Sequence, residues 1–141
     1  MNRTFVISVV VMFLVSVALG FTVHGFLLGD EYARLTPTVY RVPEDSRHYF
    51  GYMMAGNFLF ATGFTWIYRQ GRASKPWLAQ GVRYGIAIAV LSTIPTFLTY
   101  YAVQPVPAAL VVKQVIFGAL AMVLMGIIVA VLNRDPVPVR T

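Results

Sequence analysis

The sequence has no cysteine and very few charged residues, and these two shortages exclude several classes of protein. Only 11% of its 141 residues are charged, and 5 of them are acidic, whereas a soluble domain carries roughly a quarter charged residues. So few charges cannot cover the surface of a soluble protein of this size. Without cysteine the chain has neither a disulfide framework nor a thiol for catalysis.

Recognised catalytic and proton-carrying sets are also missing. No Asp or Glu occurs between Asp45 and Asp135, and the first apolar run has none before Asp30. Proton pumps and carboxylate-driven antiporters depend on acids inside the membrane, so the sequence disfavours both. There is no glycine-rich phosphate loop, and two histidines with scattered serines do not form a nucleophilic triad. We therefore expect a protein that is not an enzyme and has no catalytic residues.

What the chain has in abundance is apolar sequence: 58% of its residues are hydrophobic and its mean hydropathy is +0.72. Four runs reach the length of about 20 residues that crosses roughly 30 Å of hydrocarbon. They are 4–28, 49–68, 84–103 and 108–132. A backbone in lipid finds no water to bond, so each run must be helical. The sequence thus predicts an all-α integral membrane protein, with residues 1–141 forming one transmembrane domain.

The segments between the runs predict the topology. Two prolines in segment 104–107 cannot continue a helix, so we expect a short outer turn that makes the third and fourth spans antiparallel neighbours. The other segments are an outer loop 29–48, a cytoplasmic loop 69–83 and a cytoplasmic tail 133–141. The prediction is an antiparallel up-down-up-down four-helix bundle.

Lysine and arginine predict the orientation, because cytoplasmic loops carry an excess of them. Seven basic residues lie on one side: Arg3, Arg69, Arg72, Lys75, Arg83, Arg134 and Arg140. Four lie on the other: Arg34, Arg41, Arg47 and Lys113. We therefore expect both termini in the cytoplasm. We therefore expect the net charge of +6 to interact with the anionic lipid surface. We expect no nucleic-acid partner, because no recognised nucleic-acid-binding module accompanies the charge.

The first run permits a second interpretation. Residues 1–20 have the arrangement of a cleavable signal peptide, and cleavage after Gly20 would leave three spans. The apolar run continues to Leu28, which is longer than a signal peptide needs. We expect the segment to be retained.

Small residues at helical spacing predict where helices pack closely, since membrane helices gain contact by backbone approach. The clearest face is on the third span, where Pro95 also predicts a kink. The predicted packing residues of three spans are Gly56, Gly63, Gly81, Gly85, Ala89, Ser92 and Gly118.

Polar residues of all four spans gather in their outer halves and predict a pocket that opens outward. Its predicted lining is His24, Asn57, Thr96, Lys113 and Gln114. Lys113 is the one charge well inside a span, so it is a functional candidate by default. Two structural alternatives are that it snorkels to the surface or pairs with Asp30 or Glu31. As a ligand-binding group it would suit an anionic or quinone-like molecule.

His24 carries two further hypotheses. With His48 and the loop carboxylates it could bind a divalent metal, and as an axial ligand it could hold haem. No recognised ligand spacing supports either, and an interfacial histidine beside a solvated acidic loop is the favoured interpretation. We expect no metal site, and the identity of any cofactor stays open.

Two segments resemble small uncharacterised four-helix proteins of bacterial inner membranes. They are residues 24–32, HGFLLGDEY, and residues 83–85, RYG, at the start of the third span. The resemblance implies a multi-pass protein of the bacterial inner membrane and carries no known activity.

Three functions follow, in order of preference. The first is a structural or accessory protein that packs with other membrane subunits or with itself, or that holds lipid or a hydrophobic cofactor. The second is a small binding or transport protein with an outward polar pocket. The third is a membrane redox or enzyme subunit that uses His24.

Overall fold

A computed structural model describes residues 3–134, which form helices and short connections with no strand among them. We label the helices in chain order. They are α1 (Arg3–Leu27), α2 (Gly29–Arg34), α3 (Pro43–His48), α4 (Phe50–Gln70), α5 (Trp77–Val103) and α6 (Ala108–Leu132). Arg140 and the rest of the predicted tail after Arg134 lie outside the described residues.

Three of these helices are long and apolar enough to cross a membrane, as the sequence predicts for a membrane protein. α1 and α6 have 25 residues each and α5 has 27. α4 coincides with the second predicted span but is not in this group. It has 21 residues, and Asn57, three glycines and several polar-tipped aromatics reduce its apolar character.

Two of the long helices contain π-helical segments, which the sequence analysis did not predict. One forms the end of α1 (Phe21–Leu27) and the other the middle of α5 (Ala89–Thr93). The second lies immediately before Pro95, which has no N–H to donate to the preceding turn. The Ser92 hydroxyl donates to the Ile88 carbonyl at 2.9 Å. A π-helical segment therefore precedes the proline at which the sequence predicts a kink.

α5 and α6 run antiparallel and touch backbone to backbone through glycines. A Cβ placed on Gly85 would lie 2.5 Å from both the Met122 carbonyl oxygen and the Val123 Cα. One placed on Gly81 would lie 2.6 Å from the Gly126 carbonyl oxygen. Any side chain there would therefore force the two helices apart.

α4 packs along α1, and α6 lies between α1 and α5. The glycines of α4 behave unlike those of α5: a Cβ on Gly56 or Gly63 would meet no atom within 4 Å. The close helix approach expected at these two positions is therefore absent. α4 is held instead by larger side chains such as Phe64 and Tyr68, which are buried with Met12 in the main core.

The two ends of the molecule differ in charge. The end where α4 turns into α5, which we call the basic end, holds Arg3, Arg69, Arg72, Lys75, Arg83 and Arg134. It is tied together by Asn133, whose carbonyl accepts from Arg72 and whose amide nitrogen donates to the Ser8 hydroxyl at 3.1 Å. The opposite end carries α2, α3 and all four described carboxylates, Asp30, Glu31, Glu44 and Asp45, together with the cations Arg34, Arg41, Arg47 and Lys113. We call it the acidic end for its carboxylates, although its formal charges balance.

Candidate ligand cavity

A cavity of about 730 Å³ lies between the helices in the half of the molecule toward the acidic end. One wall comes from α1 and α4, which pack together, and the other from α5 and α6. Most of its lining is apolar, and methionine and phenylalanine, whose side chains are large, contribute much of it. These side chains are Met53, Met54, Met122, Met125, Phe21, Phe60 and Phe97.

A few polar side chains interrupt this apolar lining. On the first wall the Ser16 hydroxyl lies 2.8 Å from the Phe13 carbonyl and 3.1 Å from Asn57 Oδ1. The Asn57 amide nitrogen donates to the Met53 carbonyl at 2.9 Å. The Ser16–Asn57 contact joins α1 to α4. Ser92, Thr93 and Thr96 line the opposite wall, where the Ser92 hydroxyl donates to the Ile88 carbonyl.

At the acidic end the cavity is bordered by a hydrogen-bonded chain of three side chains. His24 Nδ1 lies 2.7 Å from the Tyr32 hydroxyl, and Gln114 Nε2 donates to the same hydroxyl at 2.8 Å. The chain forms because the backbone turns at Leu28, which is fully buried, so that α2 brings Tyr32 back against His24 and α6. Gln114 itself is buried.

One bond direction in this chain is fixed by chemistry. An amide nitrogen only donates, so the Tyr32 oxygen accepts from Gln114. Burial raises the pKa of Tyr32 to about 12, so its hydroxyl keeps its proton. The direction of the bond between Tyr32 and His24 Nδ1 depends on the tautomer of the imidazole. When Nδ1 accepts from Tyr32, Nε2 of a neutral His24 carries the hydrogen and can donate to a ligand in the cavity that His24 lines.

Lys113 lies beside this chain and has another partner. Its Nζ is 2.5 Å from Glu31 Oε1, and the pair is partly exposed. The hydrogen bond from Lys113 lowers the pKa of the Glu31 carboxyl. Asp30, the alternative partner considered from the sequence, is exposed and makes no ion pair with Lys113.

The five residues predicted for one pocket are thus divided among three places. His24, Asn57 and Thr96 line the cavity. Gln114 acts on it through Tyr32, and Lys113 belongs to the ion pair outside it. Within residues 3–134, no three His, Asp or Glu side chains come together as metal ligands would.

Sequence reasoning missed several residues of this site, namely Tyr32, Ser16 and the four methionines. For Tyr32 a signal existed, since it follows His24 by eight residues, close to two helical turns. The turn at Leu28 makes the actual contact. Nothing in the sequence distinguishes the four cavity methionines from ordinary core residues.

Comparison with known proteins gives the family of this chain. Residues 7–130 match the family described as protein of unknown function (DUF1761), and because the match covers most of the sequence the chain belongs to that family. No curated protein and no solved structure matches the chain.

Proposed function

We propose that this member of the DUF1761 family is a four-helix protein of the bacterial inner membrane that binds a small apolar molecule inside the bilayer. The ligand carries at least one hydrogen-bond acceptor, such as a carbonyl oxygen. The single observation behind this proposal is the cavity of about 730 Å³ with the His24 imidazole at its border. Binding, rather than covalent chemistry, is the activity proposed.

The size and lining of the cavity support a small-molecule ligand. Ligand sites commonly have volumes of about 300–1,000 Å³ and are mostly apolar with a few placed polar groups. Four methionines line this one, and methionine adapts its shape to irregular partners. An apolar ligand could enter from the lipid, because the cavity separates the α1–α4 pair from the α5–α6 pair.

One tautomer of His24 offers a donor to the ligand. On the first wall the Ser16 hydroxyl bonds Asn57 Oδ1, and the Asn57 amide nitrogen already donates to the Met53 carbonyl. We take the His24 tautomer in which Nδ1 accepts from Tyr32, which leaves Nε2–H for a ligand. A carbonyl or ester oxygen would satisfy it, whereas a bare hydrocarbon would leave it unbonded, at a cost.

The membrane arrangement is part of the same proposal. At about 1.5 Å per residue, the 21 residues of α4 measure about 31 Å, close to the thickness of hydrocarbon. α4 packs along α1, so we propose it as the fourth span despite its weaker apolar character. The basic end then faces the cytoplasm with both termini, in agreement with the excess of basic residues there.

A fluorescent ketone tests the binding proposal directly. A dimethylaminonaphthyl ethyl ketone, which emits at shorter wavelength in apolar surroundings, would be titrated into the full chain in mild detergent. We expect saturable binding with a blue shift. Ala121→Leu places bulk into the cavity that Ala121 lines and should abolish the shift. Ala87→Leu is the matched control, because Ala87 is exposed on α5.

The role of the acceptor is tested by the same fluorophore without its ketone. The ketone should bind the original chain more tightly than its parent naphthylamine by about fivefold, the value of one net hydrogen bond of about 1 kcal/mol. His24→Phe should remove that preference while leaving the apolar binding. Equal binding by Ala121→Leu and the original chain would contradict the cavity proposal as a whole.

A further inference from the structure

A second and smaller pocket lies at the basic end, far from the cavity. Its volume is about 210 Å³, and it is formed where the chain passes from α4 to α5. Its lining combines two tyrosines, two cations and loop backbone: Tyr68, Gly71, Ala73, Lys75, Gln80, Arg83 and Tyr84.

The shape of this pocket is fixed by the protein itself. The Gln80 amide nitrogen donates to the carbonyls of Ala73 and Lys75, both at 2.8 Å. The Gln80 carbonyl oxygen accepts from the Ala73 N–H at 2.9 Å. The Tyr84 hydroxyl donates to the Phe64 carbonyl on α4. The loop therefore needs no ligand to hold it, and little ordering cost would accompany binding.

The two cations of the pocket have no carboxylate partner among the described residues. Within residues 3–134, neither Lys75 nor Arg83 forms an ion pair with a carboxylate. All four described carboxylates lie at the other end, where Glu31 and Asp45 neutralise local cations. Two cations thus share one concave site with no described anion beside it, a charge arrangement that suits an anionic ligand.

We infer that this pocket binds a phosphate group, and in the membrane the phosphate of an anionic phospholipid. Lysine and arginine are the usual ligands of phosphate oxygens, and arginine can donate two parallel hydrogen bonds to them. The pocket lies beside the first residues of α5, where Trp77 begins the helix, a residue type typical of the membrane–water interface. Basic pockets at this level of a membrane protein suit lipid headgroups. The site depends on neither the cavity nor its ligand.

Native mass spectrometry of the full chain released from nanodiscs tests this site. The discs would contain phosphatidylcholine with a minor fraction of phosphatidylglycerol, and we expect one phosphatidylglycerol to remain bound. The double variant Lys75→Gln with Arg83→Gln should lower that affinity on the order of 30-fold, because each basic group near an anionic headgroup contributes about fivefold. Lys75→Arg with Arg83→Lys keeps both charges and should retain the lipid.

A charge-matched control separates a site from general attraction. Arg3→Gln with Arg134→Gln removes the same charge from the same end but outside the pocket, and it should lose much less lipid. Equal loss in the two double variants, or loss in neither, would overturn the inference. Equal thermal stability of all variants in a zwitterionic detergent shows that folding is unaffected.

Inorganic phosphate identifies the source of the bound group. At constant ionic strength it should not displace phosphatidylglycerol, because the lipid also has its acyl chains in the bilayer. If phosphate alone displaces the lipid and stabilises the original chain but not the pocket variant, the site binds free phosphate. If neither phosphate nor phosphatidylglycerol distinguishes the pocket variant from the original chain, no phosphate site exists there.

Discussion

The two halves of the α5–α6 pair pack in different ways, and most of the cavity lies beside the half toward the acidic end. Toward the basic end, Gly81 and Gly85 bring the two backbones into contact with each other near Gly126. Toward the acidic end, a Cβ on Gly118 would meet the side chains of Thr93 and Phe97. Backbone meets backbone in one half, whereas side chains separate the helices in the other. The presence or absence of side-chain atoms between the two helices thus decides where their backbones touch and where space remains.

The contrast has a physical cause that is particular to lipid. Hydrocarbon is as apolar as leucine, so helices associate through close van der Waals contact rather than through a hydrophobic driving force. The half toward the basic end, which we call the glycine half, gains that contact directly through Gly81 and Gly85. The other half, which we call the cavity half, makes fewer such contacts, and it surrounds the cavity with side chains of adaptable shape. Close backbone contact and open space therefore belong to different parts of the same helix pair.

The largest effect is expected from a single methyl group in the glycine half. Gly85→Ala places a Cβ 2.5 Å from backbone atoms of α6, which cannot move without the helix. We expect a loss of about 3 kcal/mol, the upper part of the range for overpacking, measured as unfolding in one detergent. Gly85→Leu should be worse still, whereas Ile86→Leu changes an exposed residue and should be mild.

The matched control for this prediction is Gly56→Ala on α4. Its Cβ would meet nothing within 4 Å, so the gain in helix propensity should dominate and stabilise the chain by up to about 1 kcal/mol. Equal stability of the two alanine variants would show that the glycines of α5 do not form a close interface.

The next effect concerns the hydrogen-bonded chain in the cavity half. Tyr32→Phe removes the hydroxyl that bonds His24 and Gln114, leaving the buried Gln114 amide without this acceptor. An unsatisfied buried donor costs about 1–3 kcal/mol. Tyr52→Phe, which alters a largely exposed side chain, should change the unfolding temperature very little. A Tyr32→Phe variant as stable as that control would contradict the assigned chain.

A smaller loss is expected where side chains separate the two helices. Gly118→Ala would place its Cβ 2.6 Å from Thr93 Cγ2, but that methyl group borders the cavity and has space to yield. We expect about 1 kcal/mol, the lower end of the overpacking range. Combining Gly118→Ala with Thr93→Ser removes the clashing methyl and should restore stability. If the single change costs as much as Gly85→Ala, the two halves are not different.

The smallest effect belongs to the partly exposed pair of Lys113 and Glu31. Exposed ion pairs contribute little, so Lys113→Leu should be nearly neutral, and adding Glu31→Gln should recover any loss. The hydrogen bond lowers the pKa of Glu31 from its ordinary value of 4.5. The contribution of this ion pair to the stability of the folded chain is therefore complete above that value, and it is lost as the pH falls through the lowered pKa.

A pH series of unfolding temperatures checks this last prediction. The original chain should lose slightly more stability below pH 4.5 than Glu31→Gln does. A strongly destabilised Lys113→Leu that neither Glu31→Gln nor Asp30→Asn rescues would instead support an anionic or quinone-like ligand for Lys113.

The sequence predicted the positions of the helices well because apolar length is a local property. The predicted run 108–132 coincides with α6 (Ala108–Leu132), and 4–28 differs by one residue at each end from α1. The third run begins at 84 in the sequence, whereas α5 begins at Trp77. A helix does not end where the membrane does, and an exposed Arg83 fits on a helix that emerges from lipid.

The sequence predicted the site only in part. The depth of a residue in the membrane follows from its position along a helix, but the direction of its side chain cannot be predicted when the helix is irregular. Depth brought His24, Asn57 and Thr96 to one level, and all three line the cavity. The small-residue face predicted for α5 assumes a regular α-helix. A π-helical segment interrupts that periodicity before Pro95, and Gly85 contacts α6 while Thr96 borders the cavity.

By itself, then, the sequence determined the membrane class, the helical content and the separation of charge between the two ends. These follow from composition and from apolar runs, which act on each segment independently. Only the tertiary structure decided that Lys113 bonds Glu31, that Tyr32 orders His24, and that Gln80 shapes a basic pocket. Those contacts join residues on different helices or across a turn, and they depend on the angles at which the helices bend and meet.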